Sequence, residues 1–465
     1  MDVRRDIHTR MEAPHNTFRL PLWRDPGNRP PPLRFCPQAR HTREHKPHRA
    51  AATASLPEEP TLSTDQTTKP IDTRGGRHIG QHRRRIPAQR LHLTQTPLET
   101  VTTGSVKRAI GRAKPGGRLI VVVPAHNEEQ GIRETVQALH GQTYRPNRVI
   151  VVADNCTDDT AGEAYRAGAQ VLSTDGNTHK KAGALNQVFA ELLPQLADDD
   201  LVMVVDADSQ LDADFLNFAV SKLNADPGLG AVGGIFRGSE GGGFVGHLQR
   251  NEYARYARDV ARLKGKCLVV TGTAALFRAV TLKRVKQERL AGRLPTGDGR
   301  GGIYDTSVLT EDNELTFALL HLGYRVLSPK ECTLTTEVME SWLDLWRQRH
   351  RWKRGAIENC VQYGLTKVTW RYWGRQIFTM FGVLVTFTYL ATVAYSLTLG
   401  HFHLQPLWMA VSAVFVVERV VTVRHRGWKH MLVAATMYEL ILDMFLQFVH
   451  AKAYADALLG RERNW

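Results

Sequence analysis

The feature that most constrains the fold of this chain is an alternation of apolar runs and amphipathic segments that begins at Arg118. Apolar runs of strand length occupy residues 119–124, 149–154, 170–172 and 201–205, and helical periodicity occupies residues 128–139, 160–166 and 181–193 between them. Apolar strands that alternate with amphipathic helices are typical of a parallel sheet covered on both faces. The sequence therefore predicts an α/β domain whose ligands bind beyond the carboxyl ends of the strands.

The first quarter of the chain has a different composition. Residues 1–115 are rich in Pro, Arg, His and Thr, and most of the formal net charge of +15 lies there. Such a segment has too few apolar residues to offset its ordering entropy, so we expect a disordered basic tail. It is either a solvated extension or a segment that binds anionic lipid or nucleic acid. The five cysteines have no metal-ligand or redox spacing, which favours a reducing compartment.

Three apolar segments follow residue 375. Residues 377–400 contain no charge and would extend about 36 Å as a helix, enough to cross a bilayer core of about 30 Å. Residues 404–423 are a second candidate span, although Glu418 and Arg419 interrupt it. Residues 430–449 carry Glu439 and Asp443, and they form either a third span or an interfacial helix.

Basic residues indicate the orientation of these spans. They flank the first span on its amino side and the second on its carboxyl side, at Arg371, Arg375, Arg424, Arg426 and Lys429. By the positive-inside rule the α/β domain faces the cytoplasm. The same rule does not decide the topology of the third segment.

Acidic residues end two of the predicted strands. Asp206 and Asp208 directly follow the strand at 201–205, where both carboxylates can reach one divalent ion and a diphosphate, and Mg²⁺ and Mn²⁺ prefer such oxygen ligands. The alternative is a strand-end turn that caps the next helix. Asp154 ends the strand at 149–154, where it can accept hydrogen bonds from a base or a ribose.

Three further groups have the chemistry of a transferase site. Lys181 lies at a small-residue helix start that suits a diphosphate, the alternative being ordinary helix packing. Thr310, Glu311 and Asp312 begin a helix, either as favourable N-terminal residues or with Asp312 as a base for an acceptor hydroxyl. The segment at 348–352 lies in a stretch rich in Trp and Arg, which is also typical of an interfacial helix.

Five motifs occur in a fixed order along the chain. They are Pro-Ala-His-Asn-Glu-Glu at 124–129, Asp154, Asp206-Ala207-Asp208, Thr310-Glu311-Asp312 and Gln348-Arg349-His350-Arg351-Trp352. Together with the apolar segments they resemble the processive family 2 glycosyltransferases, the group of cellulose, chitin, hyaluronan and poly-N-acetylglucosamine synthases. The resemblance covers residues 118–375 and implies a GT-A fold (a Rossmann-like nucleotide-diphospho-sugar transferase domain) and an inverting single displacement.

The resemblance also implies a role for each matching residue. Asp312 corresponds to the catalytic base, Asp208 to the metal ligand, and Asp206 to a donor contact. Asp154 would bind the uracil or the ribose. The remaining substrate contacts would come from Pro124, Ala125 and Glu128 around the base, from Lys181, Thr310 and Glu311, and from Gln348, Arg351 and Trp352 over the diphosphate and acceptor. The loop at 271–273, with Phe277 and Arg278, resembles the acceptor-side loop of the family.

We therefore predict a basic tail at 1–115, a GT-A domain at 116–340, interfacial helices at 341–375 and a membrane region at 376–465. The predicted enzyme is a multi-pass cell-membrane protein with a cytoplasmic catalytic domain. It uses Mg²⁺ or Mn²⁺ to transfer N-acetylglucosamine or glucose from a UDP-sugar to a growing β-linked polysaccharide. The alternative is transfer of one sugar to a lipid or protein acceptor, because two or three spans are few for a polymer channel. The expected partners are the donor, the acceptor and the bilayer, without nucleic acid.

Overall fold

The computed structural model describes residues 99–110, 117–400, 406–424 and 427–462. A parallel-rich sheet of eight strands has the order β1-β4-β3-β2-β5-β9-β7-β10, in which β9 is antiparallel to β5 and β7. A second sheet has the order β6-β11-β8. The strands are β1 Glu99–Thr100, β2 Leu119–Ala125, β3 Arg148–Ala153, β4 Gln170–Ser173, β5 Leu201–Val205, β6 Ser209–Leu211, β7 Leu229–Gly233, β8 Ile235–Gly238, β9 Ala274–Arg278, β10 Arg325–Leu327 and β11 Thr333–Thr336.

Thirteen α-helices and a 3-10 turn at Leu193–Gln195 complete the described part of the chain. The helices are α1 Thr103–Ile110, α2 Ile132–His140, α3 Thr160–Arg166, α4 Lys180–Leu192, α5 Phe215–Ala225, α6 Gly243–Arg262, α7 Ala279–Leu290, α8 Glu311–His321, α9 Trp342–Tyr363, α10 Trp370–Thr398, α11 Pro406–Thr422, α12 Trp428–Ala435 and α13 Leu440–Leu458.

Strand β2 shows why the central strands are apolar throughout. Every residue of β2 is buried. Because successive side chains of a strand point to opposite faces, Ile120 and Val122 enter one core cluster, and Leu119, Val121 and Val123 enter the other. The parallel α/β sheet predicted from these runs is confirmed.

Two predicted boundaries need correction. The second helix begins at Ile132 and not at residue 128, because Asn127 has a positive φ of 56° and a turn between Glu128 and Gly131 precedes the helix. Residues 99–110, assigned above to the disordered tail, form β1 and α1. Strand β1 pairs with β4, and Val106 is fully buried in the core. The rest of the predicted tail, together with residues 111–116, lies outside the described residues.

The three apolar segments near the end of the chain form different structures. Helix α10 is long and apolar enough to cross a membrane, and 6% of its most apolar window is buried. Helix α11 has 17 residues, which is short for a full span. Helices α12 and α13 meet at a bend of 54° and together have the length and composition of one broken span. Within the described residues, the chain therefore contains one or two helices of membrane-spanning character.

Helix α13 packs along α9. His350 Nε2 of α9 lies 2.9 Å from Asp456 Oδ2 of α13, and the Arg354 guanidinium donates to the carbonyl oxygen of Glu462 (3.0 Å) and to that of Arg461. Leu345 and Leu442 share one buried apolar cluster. The last helix is therefore fixed to the helix that follows the α/β domain.

Candidate active site

The site lies where β2, β3 and β5 end side by side, at the carboxyl edge of the main sheet. Three non-glycine residues beside this edge have positive φ angles, namely Asn127 (56°), Asn155 (50°) and Lys180 (50°). Such backbone conformations are unfavourable for residues with a Cβ, and they concentrate at functional sites. The strand-end acids predicted above are thus gathered at one edge of the sheet.

Asp154 is held by side chains from the loop after β4. It is 5% exposed. Its Oδ1 atom accepts hydrogen bonds from Thr174 Oγ1 (2.8 Å), Asn177 Nδ2 (2.8 Å) and Asn155 Nδ2 (3.2 Å). These bonds fix the carboxylate at the end of β3. Thr174 and Asn177 were not predicted, because they follow a strand of only four residues in a loop without a motif.

Pro124 and Ala125 are the last residues of β2, next to Asp154. The Asp154 N–H donates to the Ala125 carbonyl oxygen at 2.8 Å. The turn after β2 is held by the Glu128 N–H, which donates to Thr160 Oγ1 at 2.7 Å. Burial raises the pKa of Glu128 to about 7, and the negative charges of nearby carboxylates add to this effect. The predicted base-pocket residues therefore lie together.

Lys181 forms the centre of the site. Its ammonium group donates to Asp206 Oδ1 and to the Gly272 carbonyl oxygen (3.2 Å), and it lies 3.6 Å from Glu311 Oε1. Burial raises the pKa of Asp206 to about 6, although the Lys181 charge opposes this shift. One cation thus lies between the acidic motif after β5 and the acidic start of α8.

Asp208 lies two residues after Asp206, and its charge adds to the rise in the pKa of Asp206. It accepts a hydrogen bond from Ser209 Oγ at 3.0 Å, and burial raises its pKa. Glu337, directly after β11, raises the pKa of both Asp208 and Glu128 by its charge, so these carboxylates lie near one another. Sequence reasoning missed Glu337, since no motif surrounds it.

The acids around Asp208 fit a divalent cation. Burial raises the pKa values of Glu128, Asp206 and Asp208, and the charge of Asp208 adds to the shifts of the other two, so added positive charge would stabilise the ionised cluster. Hard cations such as Mg²⁺ and Mn²⁺ bind through one or two carboxylates together with substrate phosphates. Among the described residues, no three His, Cys, Asp or Glu side chains are already grouped as a complete protein site. The donor set therefore fits a cation that shares its ligands with a diphosphate.

Asp312 lies in the first turn of α8. Its Oδ2 atom accepts from the Gly272 N–H and its Oδ1 from the Asn313 N–H, both at 2.8 Å. Burial raises the pKa of Asp312 to about 6, the Glu311 charge adds to the shift, and Lys181 opposes it. A carboxylate with a pKa near neutrality is suited to accept a proton at physiological pH.

Thr310 makes a different contact from its neighbours. Its hydroxyl and carbonyl oxygens both accept from Asn359 Nδ2 of α9, each at 3.1 Å. A Cβ placed on Gly355 would lie 2.5 Å from Thr310 Oγ1, so α9 approaches α8 closely at this glycine. Thr310, which was predicted to contact substrate, is therefore hydrogen-bonded to Asn359 of α9.

The predicted closing segment lies on α9. The Gln348 Oε1 atom accepts from Arg349 NH1 at 3.2 Å. Burial lowers the pKa of Lys180, and the charge of the exposed Arg351 adds to this shift, which places α9 near the start of α4. The Trp352 side chain is 37% exposed. Gln348, Arg351 and Trp352 therefore belong to one helix beside the cleft.

One carried-over assignment needs correction. Phe277 is 3% exposed within the core, and Arg278 donates to the carbonyl oxygens of Leu229 (2.7 Å) and Asp226 (3.1 Å). Arg278 thus holds the turn before β7 and is not available for an acceptor. Of the acceptor-side loop, Gly272 contacts the site through its backbone.

Comparisons with known proteins agree with this architecture. Residues 120–285 match glycosyl transferase family 2. The chain is 28% identical over 290 residues to the probable glycosyltransferase YdaM of Bacillus subtilis (strain 168), with 60% of each protein covered. It is also 28% identical over 243 residues to the poly-beta-1,6-N-acetyl-D-glucosamine synthase of Staphylococcus aureus (strain COL), with 51% of this chain and 54% of that protein covered. The chain thus spans 54% to 60% of the length of these relatives.

A solved structure supports the fold. The mannosyltransferase PcManGT from Pyrobaculum calidifontis, in complex with GDP-Man and Mn²⁺, has a TM-score of 0.50 and 19% identity over 77% of this chain and 94% of that chain. At this identity the similarity establishes the fold alone. The expected GT-A-type α/β fold and family 2 domain are confirmed.

Proposed function

From the family 2 glycosyl transferase domain that this chain carries, we propose an inverting glycosyltransferase that moves a sugar from a UDP-sugar to an acceptor hydroxyl. The observation that carries the proposal is the grouping of Asp206, Lys181 and Asp312 at the carboxyl edge of the sheet. The Lys181 ammonium group there joins the strand-end acids to a carboxylate suited to proton transfer. This arrangement provides donor binding and base chemistry in one cleft.

The donor would bind across the ends of β2 and β3. Asp154 has a fixed carboxylate that can accept hydrogen bonds from a base or ribose, and Pro124, Ala125 and Glu128 surround it. The start of α4 offers backbone N–H groups and the Lys181 ammonium group to a diphosphate. Arg351 and Gln348 of α9 would complete the diphosphate pocket.

Asp208 would hold Mg²⁺ or Mn²⁺, assisted by the neighbouring acids. A bound divalent cation supplies positive charge that stabilises the leaving diphosphate. The proposal is supported by the raised pKa values of Asp206 and Asp208, which a cation would lower again.

Asp312 would act as the general base. The acceptor oxygen attacks the anomeric carbon and gives its proton to the Asp312 carboxylate, while the bond from that carbon to the diphosphate oxygen breaks and UDP leaves. One displacement of this kind inverts the anomeric configuration. The Gly272 N–H fixes one carboxylate oxygen of Asp312, which orients the base before the acceptor arrives.

The acceptor would approach along α9, where Trp352 offers an aromatic surface to a sugar ring. Similarity to a poly-beta-1,6-N-acetyl-D-glucosamine synthase favours a growing β-linked polysaccharide and an N-acetylglucosamine donor, with glucose as the other candidate. Transfer of one sugar to a lipid or protein acceptor remains the second hypothesis, because the described chain has only one or two helices of spanning character. Product masses distinguish the two hypotheses.

The protein would act at a membrane. Helix α10 has the length and hydropathy of a span, and its first turn carries Trp370 and Arg371, which suit a membrane interface. With basic residues on that side, the α/β domain would face the cytoplasm. Glu418 of α11 pairs with Arg258 of α6, so this part of α11 would lie beside the α/β domain.

The test uses the full chain purified in detergent. We expect UDP release from a UDP-sugar to need Mg²⁺ or Mn²⁺ and to fall at least about a thousandfold in Asp312→Asn. A ladder of product masses would establish polymer synthesis, and one added sugar would establish single transfer. Equal turnover in Asp312→Asn would refute the assignment of the base, and a silent wild type across all donors would refute the proposed activity.

A further inference from the structure

Arg349, which lies between Gln348 and the Arg351-Trp352 pair, has a buried guanidinium group with both ionic and aromatic partners. It is 5% exposed. One guanidinium nitrogen donates to Glu252 Oε2 of α6 at 2.8 Å, and another donates to Gln348 Oε1 at 3.2 Å. The buried cation therefore contacts the closing segment and a helix of the α/β domain at once.

The same guanidinium group lies over two aromatic rings. Its central carbon is 4.3 Å from the centre of the Trp352 ring and 5.5 Å from that of Tyr253 on α6. Tyr253 is 4% exposed and packs edge-on against Phe236 at 4.7 Å, so its position is fixed by the core. A cation over an aromatic face is attracted by the ring quadrupole, most strongly over Trp.

We propose that Arg349 is a positioning residue that orients Trp352 and Gln348 for the acceptor. The chain of contacts runs from Glu252 and Tyr253 through the guanidinium group to the Trp352 indole and the Gln348 amide. The partly exposed indole then presents a fixed surface toward the cleft. This inference rests on the proposed function, because it assigns Trp352 to the acceptor side of the transfer reaction.

The proposal requires arginine at this position. A planar guanidinium group can stack on one ring and donate to a carboxylate and an amide in fixed directions, whereas a lysine ammonium group is a flexible point charge. A purely structural ion pair with Glu252 would be kept in large part by lysine. Arg349→Lys therefore separates a positioning role from the mere presence of a buried positive charge.

The experiment measures donor and acceptor kinetics separately in the full-length enzyme. In Arg349→Lys we expect the acceptor KM to rise and kcat to fall, so that kcat/KM for the acceptor drops about tenfold while the donor KM stays within about twofold. The matched control is Arg347→Lys on the same helix. Arg347 is 66% exposed and pairs with Asp344 at 3.4 Å, so this variant should match the wild type.

A double-mutant cycle with Trp352→Phe tests whether Arg349 acts through the indole. We expect Arg349→Lys to lower kcat/KM for the acceptor about tenfold in the wild type and less than about twofold in the Trp352→Phe background. The two effects should not add, because both residues belong to one contact network. Equal losses in both backgrounds would overturn the proposal.

The remaining outcomes are also decisive. If thermal unfolding shows that Arg349→Lys does not fold, Glu252→Asp takes its place. The same result is expected: a lower kcat/KM for the acceptor and an unchanged donor KM. Wild-type kinetics in the folded variant, or an equal rise in both KM values, would overturn the positioning role while the proposed function stands. A wild type without turnover beside an inactive Asp312→Asn would overturn the proposed function, and the inference with it.

Discussion

At the residue scale, Lys181 links the two acidic motifs of the site. It lies between Asp206 and Glu311, and its charge opposes the pKa increases of Asp206 and Asp312. Without this cation, burial and mutual repulsion would favour the protonated acids. Lys181, proposed to bind the diphosphate, would therefore also keep the proposed base Asp312 ionised near neutral pH.

The pH dependence of transfer follows from Asp312. Its pKa is raised to about 6, and a general base acts in the unprotonated form, so activity increases as the pH rises through this value. We expect log kcat/KM for the acceptor to climb from about pH 5 and to level off above about pH 7. The measurement is a buffer-matched pH profile of the wild type beside the residual rate of Asp312→Asn. The same rising limb in the variant would assign the titration to Glu128 or Asp206.

Metal binding is expected to stabilise the protein through Asp208. Saturating Mn²⁺ should raise Tm of the wild type by about 5 °C, because the ion binds the folded state and neutralises the acids around Asp208. Asp208→Asn should lose most of this increase. Asp198→Asn serves as the control, since Asp198 is 70% exposed and pairs with Lys283. Equal Mn²⁺ shifts in all three proteins would contradict the site.

The site residues differ in how far the sequence predicted them. Asp154, Asp206 and Asp208 end buried strands, so their position at one edge follows from the topology of a parallel sheet. The environment of Thr310 depends on Asn359, 49 positions away on another helix. No local pattern specifies that contact, nor the turning of Arg278 toward the backbone of the β7 turn.

At the element scale, α9 connects the candidate active site with the last helices. Its neighbouring residues Arg349 and His350 contact α6 and α13, respectively. Further along the helix, Gly355 and Asn359 contact Thr310 at the start of α8. The sequence predicted an interfacial helix here, with Gln348, Arg351 and Trp352 over the diphosphate and acceptor. The partners of the other faces depend on tertiary packing and could not be predicted from periodicity.

Gly355→Ala tests the contact between α9 and α8. The added Cβ would lie 2.5 Å from Thr310 Oγ1 and 2.7 Å from its Cγ2, so α9 must shift away from the helix that bears Asp312. We expect kcat to fall about tenfold or more, because small misplacements of catalytic groups are costly. Gly374→Ala on α10 is the control, since its Cβ would meet nothing within 4 Å. Thr310→Ala combined with Gly355→Ala should restore part of kcat, and no recovery would argue against this steric account.

The position of α13 predicts on which side of the membrane the end of this helix lies. Because His350 of α9 lies 2.9 Å from Asp456 of α13, and Arg354 of α9 donates to the carbonyl oxygen of Glu462 just after α13, this end of the helix should share the side of the α/β domain. We expect an epitope after Trp465 and one inserted in the loop at 297–301 to be digested together in sealed vesicles of either orientation. Digestion from opposite sides would contradict this packing.

At the scale of the whole molecule, the charged residues within the apolar segments explain why the sequence alone did not decide how these segments are arranged. Glu439 and Asp443 were compatible with a span or with an interfacial helix. In the structure Glu439 is 2% exposed and accepts from Asn251 of α6 at 2.8 Å and from Arg255. These partners lie almost two hundred positions earlier in the chain, so the segment itself does not reveal them.

Arg419 of α11 completes this network and provides a test of how the apolar helices are attached to the α/β domain. It is 8% exposed and donates to Glu439 Oε2 at 2.8 Å and to Asp443. Removing one partner of a buried ion pair leaves an uncompensated charge, so Arg419→Met should lower the free energy of unfolding by about 3 kcal/mol, seen as a lower Tm in detergent.

Adding Asp443→Leu to Arg419→Met should recover at least about half of that loss, because both partners of the Arg419–Asp443 pair are then replaced by apolar side chains. Arg262→Met is the control. Arg262 is 65% exposed and lies 3.7 Å from Asp259, which is also exposed, so this surface ion pair contributes little to stability. If Arg419→Met unfolds like Arg262→Met, the network does not hold α11 and α13 against α6. If the double variant is less stable than the single one, the interaction of Asp443 with Arg419 is not the source of the loss.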